Sequence, residues 1–296
     1  MKMNRMIVIG GGAGGALAAV QLLLRGADVT LLEPTAALGR GMAYSTTCDL
    51  HLLNVPAANM SAFPDDPPHF SRWLERTAPG QYDACSFVPR RTFGAYVGSV
   101  LDEALRAANG RFRHVQSPAV AARIADRNIV VTTESAQTIH GDAAVLATGN
   151  AAPAPWPGLP AEASAGGRFF NVAWSEGAFE PSDPQESVLL LGSGLTAVDA
   201  LLALRYNGHN GKVYMLSRRG LLPQVHLPPV SGRLCPPPSA GLRDLLRDMR
   251  MAAAGACELP AGWREAVDAI DLEADIVDHG VCAEPFDDVV QVKFHT

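Results

Sequence analysis

Two glycine-rich turns hold the residues of this sequence whose types and spacing could do chemistry. Gly10-Gly11-Gly12-Ala13-Gly14-Gly15 satisfies GxGxxG at positions 10, 12 and 15. Such a turn is suited to a pyrophosphate. Gly10 allows the tight strand-to-helix turn, Gly12 lets the backbone approach the phosphates, and Gly15 lets helix and strand pack closely. With Ala13 and Gly14 these residues open a helix whose free N–H groups and partial positive charge favour an anion. Glu33 ends the next apolar run, placed to accept hydrogen bonds from a ribose diol. Gly192-Ser193-Gly194-Leu195-Thr196-Ala197 fits the GxGxxA variant, but the strand after it ends in Ser217-Arg218-Arg219 and no acid. Hydroxyl and guanidinium groups bind a 2′-phosphate by charge-assisted hydrogen bonds, each worth about 1.5–3 kcal/mol, whereas a carboxylate repels it. The first turn therefore points to FAD and the second to NADPH.

The elements that must position these turns read as two similar units. Met6-Ile7-Val8-Ile9 is a wholly apolar run, as expected of a buried parallel strand. A helix over 16–25, closed by Gly26, and a strand over 28–33 complete a βαβ unit. From Pro34 to about Pro89 the pattern is loop-like. Helical periodicity returns over 93–108 and ends at Asn109-Gly110. Three β-like runs follow: 113–116 leading to 119–120, then 128–133, then 137–140. They precede an apolar strand over 142–148 and suggest a β-meander laid across a parallel sheet. Pro153, Pro155, Pro157 and Pro160 form a stiff linker and a domain boundary. The pattern then restarts, with strand 187–191, the second glycine turn, helix 196–206 and strand 212–217. A further helix is expected over 241–255. The expected fold is α/β: two Rossmann-like dinucleotide-binding domains of three-layer ββα type, 1–155 for FAD with the β-meander crossover and 156–296 for NADPH.

Composition excludes several classes. The net charge of −6 and pI near 5.7 give no reason to expect nucleic acid or an anionic membrane as partner. The apolar run 188–206 is too polar to span a bilayer, being broken by Asp199 and glycines. The five cysteines (Cys48, Cys85, Cys235, Cys257, Cys282) are scattered, with no CxxC pair. They offer no zinc pair and no local redox dithiol, and they read as reduced thiols of a cytoplasmic protein. His51, His69 and His226 have no partner at ligand spacing and read as surface or loop residues, so no metal site is expected. Asp65-Asp66 reads as a solvated turn, and Trp174 as packing.

With these residues assembled, the chain resembles the FAD/NAD(P)-binding family of bacterial flavoproteins, related to N-hydroxylating and class B (Baeyer–Villiger-type) flavin monooxygenases. The resemblance rests on Val8-Ile9-Gly10-Gly11-Gly12, Glu33-Pro34, Leu38-Gly39-Arg40-Gly41-Met42-Ala43-Tyr44-Ser45 and His51-Leu52-Leu53-Asn54-Val55-Pro56. It continues through Met60-Ser61-Ala62-Phe63-Pro64-Asp65-Asp66-Pro67, Phe87-Val88-Pro89-Arg90-Arg91, Ala147-Thr148-Gly149-Asn150 and Ser217-Arg218-Arg219-Gly220-Leu221-Leu222-Pro223, covering about residues 5–270. It implies that Pro34 and Arg40 belong to the cofactor site and that Asn59-Met60-Ser61 line the flavin ring. It also implies that Val120 holds the adenine through backbone contacts and that Thr148-Gly149 pass near the flavin nucleotide. The family usually runs on past this length, so a truncated C-terminus is expected, with Asp271 to Thr296 acidic and unfamiliar.

Three functions fit these residues. The first is a monooxygenase-like oxidoreductase. NADPH reduces FAD, and a flavin C4a-hydroperoxide then hydroxylates a small nucleophilic substrate; the cofactor performs the hard chemistry, and no catalytic side chain is assigned. The second is a flavin reductase or oxidase, including a single-cysteine peroxidase through Cys48, whose neighbour Asp49 opposes thiolate formation. The third is a flavin-binding module without turnover, or a truncated remnant. Neither the substrate nor the oligomeric state is legible.

Overall fold

The structure, a computed structural model, describes residues 4–125, 128–154, 156, 166–175, 177–180, 183–223 and the backbone of 289–292. The expected helix over 241–255 and much of the proline linker lie outside the described residues. The chain divides into two compact units, Met1–Glu186 with Thr196–Gly211, and Ser187–Leu195 with Lys212–Thr296.

In the larger unit, β1 (Arg5–Ile9) is followed by α1 (Ala13–Leu24) and β2 (Asp28–Leu32). After β2 come the short α2 (Gly41–Tyr44), a 3-10 turn (Ala57–Asn59), α3 (His69–Thr77) and α4 (Arg90–Ala107). Strands β3 (Phe112–Val115), β4 (Ala119–Ala125), β5 (Asn128–Thr133), β6 (Thr138–Gly141) and β7 (Ala143–Leu146) complete it. A parallel sheet runs in the order β3-β2-β1-β7, and β4-β5-β6 form a separate antiparallel sheet.

The apolar run at β1 is explained by burial on both faces. Side chains alternate across a strand. Met6 and Val8 join α1 and α4 in one core with Ala16, Val20, Phe93, Tyr96, Val97 and Val100. Ile7 and Ile9 meet Val131 and Ile139 of the meander on the other side, with Leu32 and Val115. The result is three layers: helices, parallel sheet and meander. The ends of β1 and β7 are tied by Asp142. Its carboxylate accepts from the Arg5 and Asn4 backbone N–H groups and from the Arg5 guanidinium. The Arg5 bonds lead in holding its pKa down to about 2.

Two expectations are corrected. Residues 113–116 and 119–120 were expected to make one meander strand. They belong instead to two elements: β3 is an edge of the parallel sheet, and β4 is the first meander strand and runs on to Ala125. The Ala-Val-Ala-Ala stretch of β4 carries little strand propensity of its own; pairing with β5 makes it a strand, with a register shift between Ala119 and Ala121. Helix α3 lies inside the stretch read as loop. Pro67-Pro68 precede it, a helix-start signal, and Phe70 and Leu74, one turn apart, are its buried residues.

In the smaller unit, β8 (Val188–Leu191) and β9 (Val213–Leu216) pair in parallel, and β10 (Val289–Val292) pairs in parallel with β9 on its other side. Between β8 and β9 the chain forms α5 (Leu195–Tyr206), of which Thr196 onward belongs to the larger unit. No helix among the described residues is long and apolar enough to cross a membrane.

The first turn makes a stability prediction. A Cβ on Gly15 would stand 1.8 Å from the Gly10 carbonyl oxygen, whereas a Cβ on Gly14 would meet nothing within 4 Å. Gly15→Ala should lower unfolding free energy by about 3 kcal/mol or more, as overpacking does. Gly14→Ala, at a helical position, should be neutral or stabilising by up to about 1 kcal/mol. Urea unfolding of the two variants beside the parent checks both; equal losses would contradict the assigned geometry.

Candidate functional site

The first glycine turn leaves β1 with Gly10 at φ +103°, a region closed to most side chains. The Gly10 N–H donates to the Leu32 carbonyl at 2.9 Å, and Ala147 N–H donates to Ile9 at 2.8 Å, so the ends of β2 and β7 flank the turn. A Cβ on Gly10 would collide with the Ala147 carbonyl. Helix α1 begins at Ala13 with no side-chain cap and no acid in its first turn. Its first internal bond is Ala16 N–H to Gly12. The N–H groups that precede Ala16 therefore form a positive, uncapped end, and the open space beside Gly14 lets a ligand reach it. The backbone fits an anionic diphosphate.

Glu33 closes the turn from the end of β2. Its Oε2 accepts from the Gly11 N–H at 2.8 Å, and its Oε1 accepts from the Thr35 N–H at 3.1 Å and the Thr35 hydroxyl at 3.0 Å. Burial pushes this carboxyl up. The Gly11 and Thr35 N–H groups, the Thr35 hydroxyl and nearby His114 outweigh it, so the pKa lies below the usual carboxylate range. The anion is held in one orientation, and Oε2, which accepts a single bond, keeps acceptor capacity for a sugar hydroxyl.

Around this centre the structure brings together most of the residues singled out in the sequence. Exposed Pro34 follows Glu33. The 34–39 loop folds back through Gly39 N–H donating to Gly11 at 2.8 Å. Arg40 leads into Gly41, whose Cα lies 3.4 Å from where a Gly12 Cβ would be. Thr148 and Gly149, both exposed, follow Ala147 beside the turn. Met60 packs against the α1–α4 core, with exposed Asn59 and half-buried Ser61 on either side. Val120 sits on β4 and is 60% exposed. His114 was missed. From β3 its Nε2 lies 2.9 Å from the Glu33 carbonyl, and it lines an open groove of about 710 Å³ with Arg40, Gly94, Gly98, Asp102 and Phe112. No sequence spacing links it to Glu33; only the pairing of β2 with β3 does.

In the smaller unit, Gly192 has φ +124° and donates its N–H to Leu216 at 2.7 Å. The Ser193 hydroxyl donates to the Leu221 carbonyl, and the Ser217 hydroxyl accepts from the Gly220 N–H at 3.0 Å. These bonds shape a cavity of about 350 Å³ lined by Ser193, Ser217, Arg218, Arg219 and Leu221. Both guanidinium-bearing residues are exposed. Gly194 and Leu195 are exposed at the glycine turn, and Thr196, also exposed, belongs to the larger unit. Ser193 occupies the variable position of the motif, which is why spacing alone did not mark it.

One reading of a loop residue is revised and one is supported. His51 is not a surface residue: it is 2% exposed. Its Nδ1 is 2.7 Å from the Thr46 hydroxyl, its Nε2 is 2.8 Å from the Asp199 carbonyl, and Trp174 packs edge-on against its ring. The lack of sequence-local partners hid partners 148 positions away. Cys48 is also buried. Burial, with Asp49 and Asp199 adding, pushes its thiol up against the opposing N–H groups of Leu50 and His51. That leaves little thiolate for peroxide chemistry.

Residues 7–151 match the family model described as FAD-NAD(P)-binding. No curated protein matches the sequence. Among solved structures, the closed form of cyclohexanone monooxygenase is similar at 17% identity and TM-score 0.52, over 74% of this chain and 39% of that one. OTEMO in complex with FAD and NADP is similar at 17% identity and TM-score 0.50, over 73% and 39%. Thioredoxin reductase from Lactococcus lactis has 19% identity and TM-score 0.46, over 75% and 58%. The chain thus spans less than two thirds of the length of each of these structures. The first two likenesses establish a shared α/β fold.

The Glu33 geometry predicts a pH dependence. A carboxylate whose folded pKa is depressed contributes stability above its unfolded pKa and loses it as pH falls through the folded value. The stability difference between the parent and Glu33→Gln should be constant above about pH 5 and shrink below it. Urea unfolding across the acid range checks this, and a difference that does not change with pH would contradict it.

Proposed function

We propose, from the match of residues 7–151 to the family model described as FAD-NAD(P)-binding, that the chain is an FAD-dependent oxidoreductase supplied with electrons by NADPH. The observation that carries the reading is the pair of glycine turns with opposite partners. A fixed carboxylate stands beside the first, and a hydroxyl with two guanidinium-bearing residues lines the cavity beside the second. On this reading residues 1–155 hold FAD and 156–296 hold NADPH.

Each group has a defined task. The uncapped N-terminus of α1, at Gly12 to Gly15, holds the diphosphate through backbone N–H groups. Glu33 accepts the ribose hydroxyls. Pro34, Arg40, Thr148 and Gly149 border the nucleotide, Val120 takes the adenine, and Asn59, Met60 and Ser61 face the isoalloxazine. Gly192, Gly194, Leu195 and Thr196 receive the second diphosphate, and Ser217, Arg218 and Arg219 receive the 2′-phosphate. Bound FAD, once reduced, supplies oxygen activation. The chain's own contribution is to orient the two nucleotides and exclude water.

Among the reactions open to such a pair we favour oxygen transfer to a small nucleophilic substrate. The sequence resemblance to flavin monooxygenases motivates that choice. The buried, protonated Cys48 counts against the thiol-based alternative.

Three measurements test the proposal. Purified protein should be yellow and should bleach anaerobically with NADPH. NADPH oxidation with peroxide followed separately, across a panel of amines and amino acids, should show coupling to one substrate. Arg218→Ala combined with Arg219→Ala should raise the KM for NADPH roughly tenfold or more, the equivalent of one lost charge-assisted bond, and leave that for NADH nearly unchanged. Equal effects on the two nucleotides would refute the phosphate assignment.

A further inference from the structure

Beneath the Asn59–Ala62 segment lies a hydrogen-bonded pair that the reading above does not use. Tyr96, in the middle of α4, is fully buried within an aromatic shell of Phe70, Phe93 and Trp73. Its hydroxyl accepts from the Ala62 N–H at 3.0 Å and lies 2.7 Å from Nδ1 of His69, the first residue of α3. Ser61 precedes Ala62 in the chain and is half-buried. The Ser61 hydroxyl donates to the Asp66 or Phe63 carbonyl and accepts from the Phe63 N–H.

A phenol has one proton, and this arrangement decides where it points. When neutral His69 carries its proton on Nε2, Nδ1 accepts the Tyr96 O–H, and the Tyr96 oxygen is left to accept from Ala62. A second proton on the imidazole turns Nδ1 into a donor. Two N–H groups then converge on the Tyr96 oxygen, and the phenol proton must turn away from His69. The charge state of His69 therefore reaches Ala62 through one hydroxyl, which is itself fully buried.

We propose that Tyr96 is a positioning residue that transmits the protonation state of His69 to the Asn59–Ala62 segment, and through it to the flavin. The link to the flavin rests on the reading above, in which Asn59–Ser61 face the ring; the link from His69 to Ala62 does not. Charged groups face His69 from three directions: Asp66 in the preceding loop, Arg72 and Arg76 on α3, and Glu103 on α4. Asp66 is paired with Arg72, which reduces its pull. Burial dominates and places the His69 transition below the usual histidine range.

The test uses the full-length chain between about pH 4 and pH 8, which takes in the usual histidine range and the region below it. NMR follows the His69 ring and the Ala62 amide, with and without FAD, and the visible spectrum of the FAD-loaded protein is recorded over the same range. In the parent, the Ala62 amide should shift with the midpoint of His69, and the flavin band should shift with it. In Tyr96→Phe, which keeps the ring inside its aromatic shell, His69 should still titrate while both responses are lost. His69→Gln should lose both responses with Tyr96 intact. An Ala62 response that survives in Tyr96→Phe, or is missing from the parent, overturns the proposal. A flavin band indifferent to pH while Ala62 titrates overturns the link to the flavin. Failure to bind FAD at all would sink the proposed function, and the amide measurement would still decide the role of Tyr96.

Discussion

The close approach of α1 to β1, at the contact of Gly15 with the Gly10 carbonyl, is the constraint on which the larger unit depends. No side chain fits there, so the helix rises directly off the strand end. Three consequences follow from that one contact. The uncapped N-terminus of α1 is held at the carboxyl edge of the sheet, where ligands of open α/β folds bind. The Gly11 N–H is turned toward Glu33, which fixes the carboxylate. The Gly39 N–H can reach the Gly11 carbonyl, so the following loop folds back over the turn.

Legibility in the sequence followed the range of the interactions involved. The strands β1, β2, β8 and β9 and the helices α1, α4 and α5 announced themselves, because hydrophobic pattern and glycine punctuation are local signals. The glycine turns and Glu33 were legible for the same reason, since about twenty residues of chain carry the whole motif. Three features were not. The strand character of β4 comes from pairing with β5 and was masked by its alanines. His114 acquires its place beside Glu33 only through sheet order. His51 finds its partners at Thr46 and Asp199 once the chain has folded back on itself.

The environment of His51 is a polar cluster in an apolar interior. Arg90, at the start of α4, reaches Asp199 at 2.7 Å and donates through Nε to the Leu52 carbonyl at 2.9 Å, while its backbone N–H donates to His51. Burial pushes the Asp199 carboxyl up, and Arg90 and His51 pull it back. A buried pair of this kind adds little net stability, because the desolvation of both charges offsets their attraction. Its geometric demand is severe, however, since removal of either partner strands the other. The cluster therefore specifies where the 46–54 loop, α4 and the first turns of α5 meet, a role that an apolar patch of equal area would perform with less precision.

The two nucleotide cradles differ in a way that bears on the proposed division of labour. Glu33 is held by three hydrogen bonds before any ligand arrives, so a sugar hydroxyl meets an acceptor whose ordering cost has already been met by folding. Arg218 and Arg219 stand exposed on their strand end and must give up rotamer freedom when they close on a phosphate, at about 0.5–1.5 kcal/mol for each side chain immobilised. A preorganised site favours a ligand that stays, and an adaptable, solvated one favours a ligand that leaves after each use. On the proposed reading this is the asymmetry an electron-transferring pair requires. The flavin remains in place through many cycles, and the nicotinamide nucleotide must depart oxidised so that another can enter. On that reading, a fixed acceptor at the first turn and exposed guanidinium groups at the second suit the two different tasks.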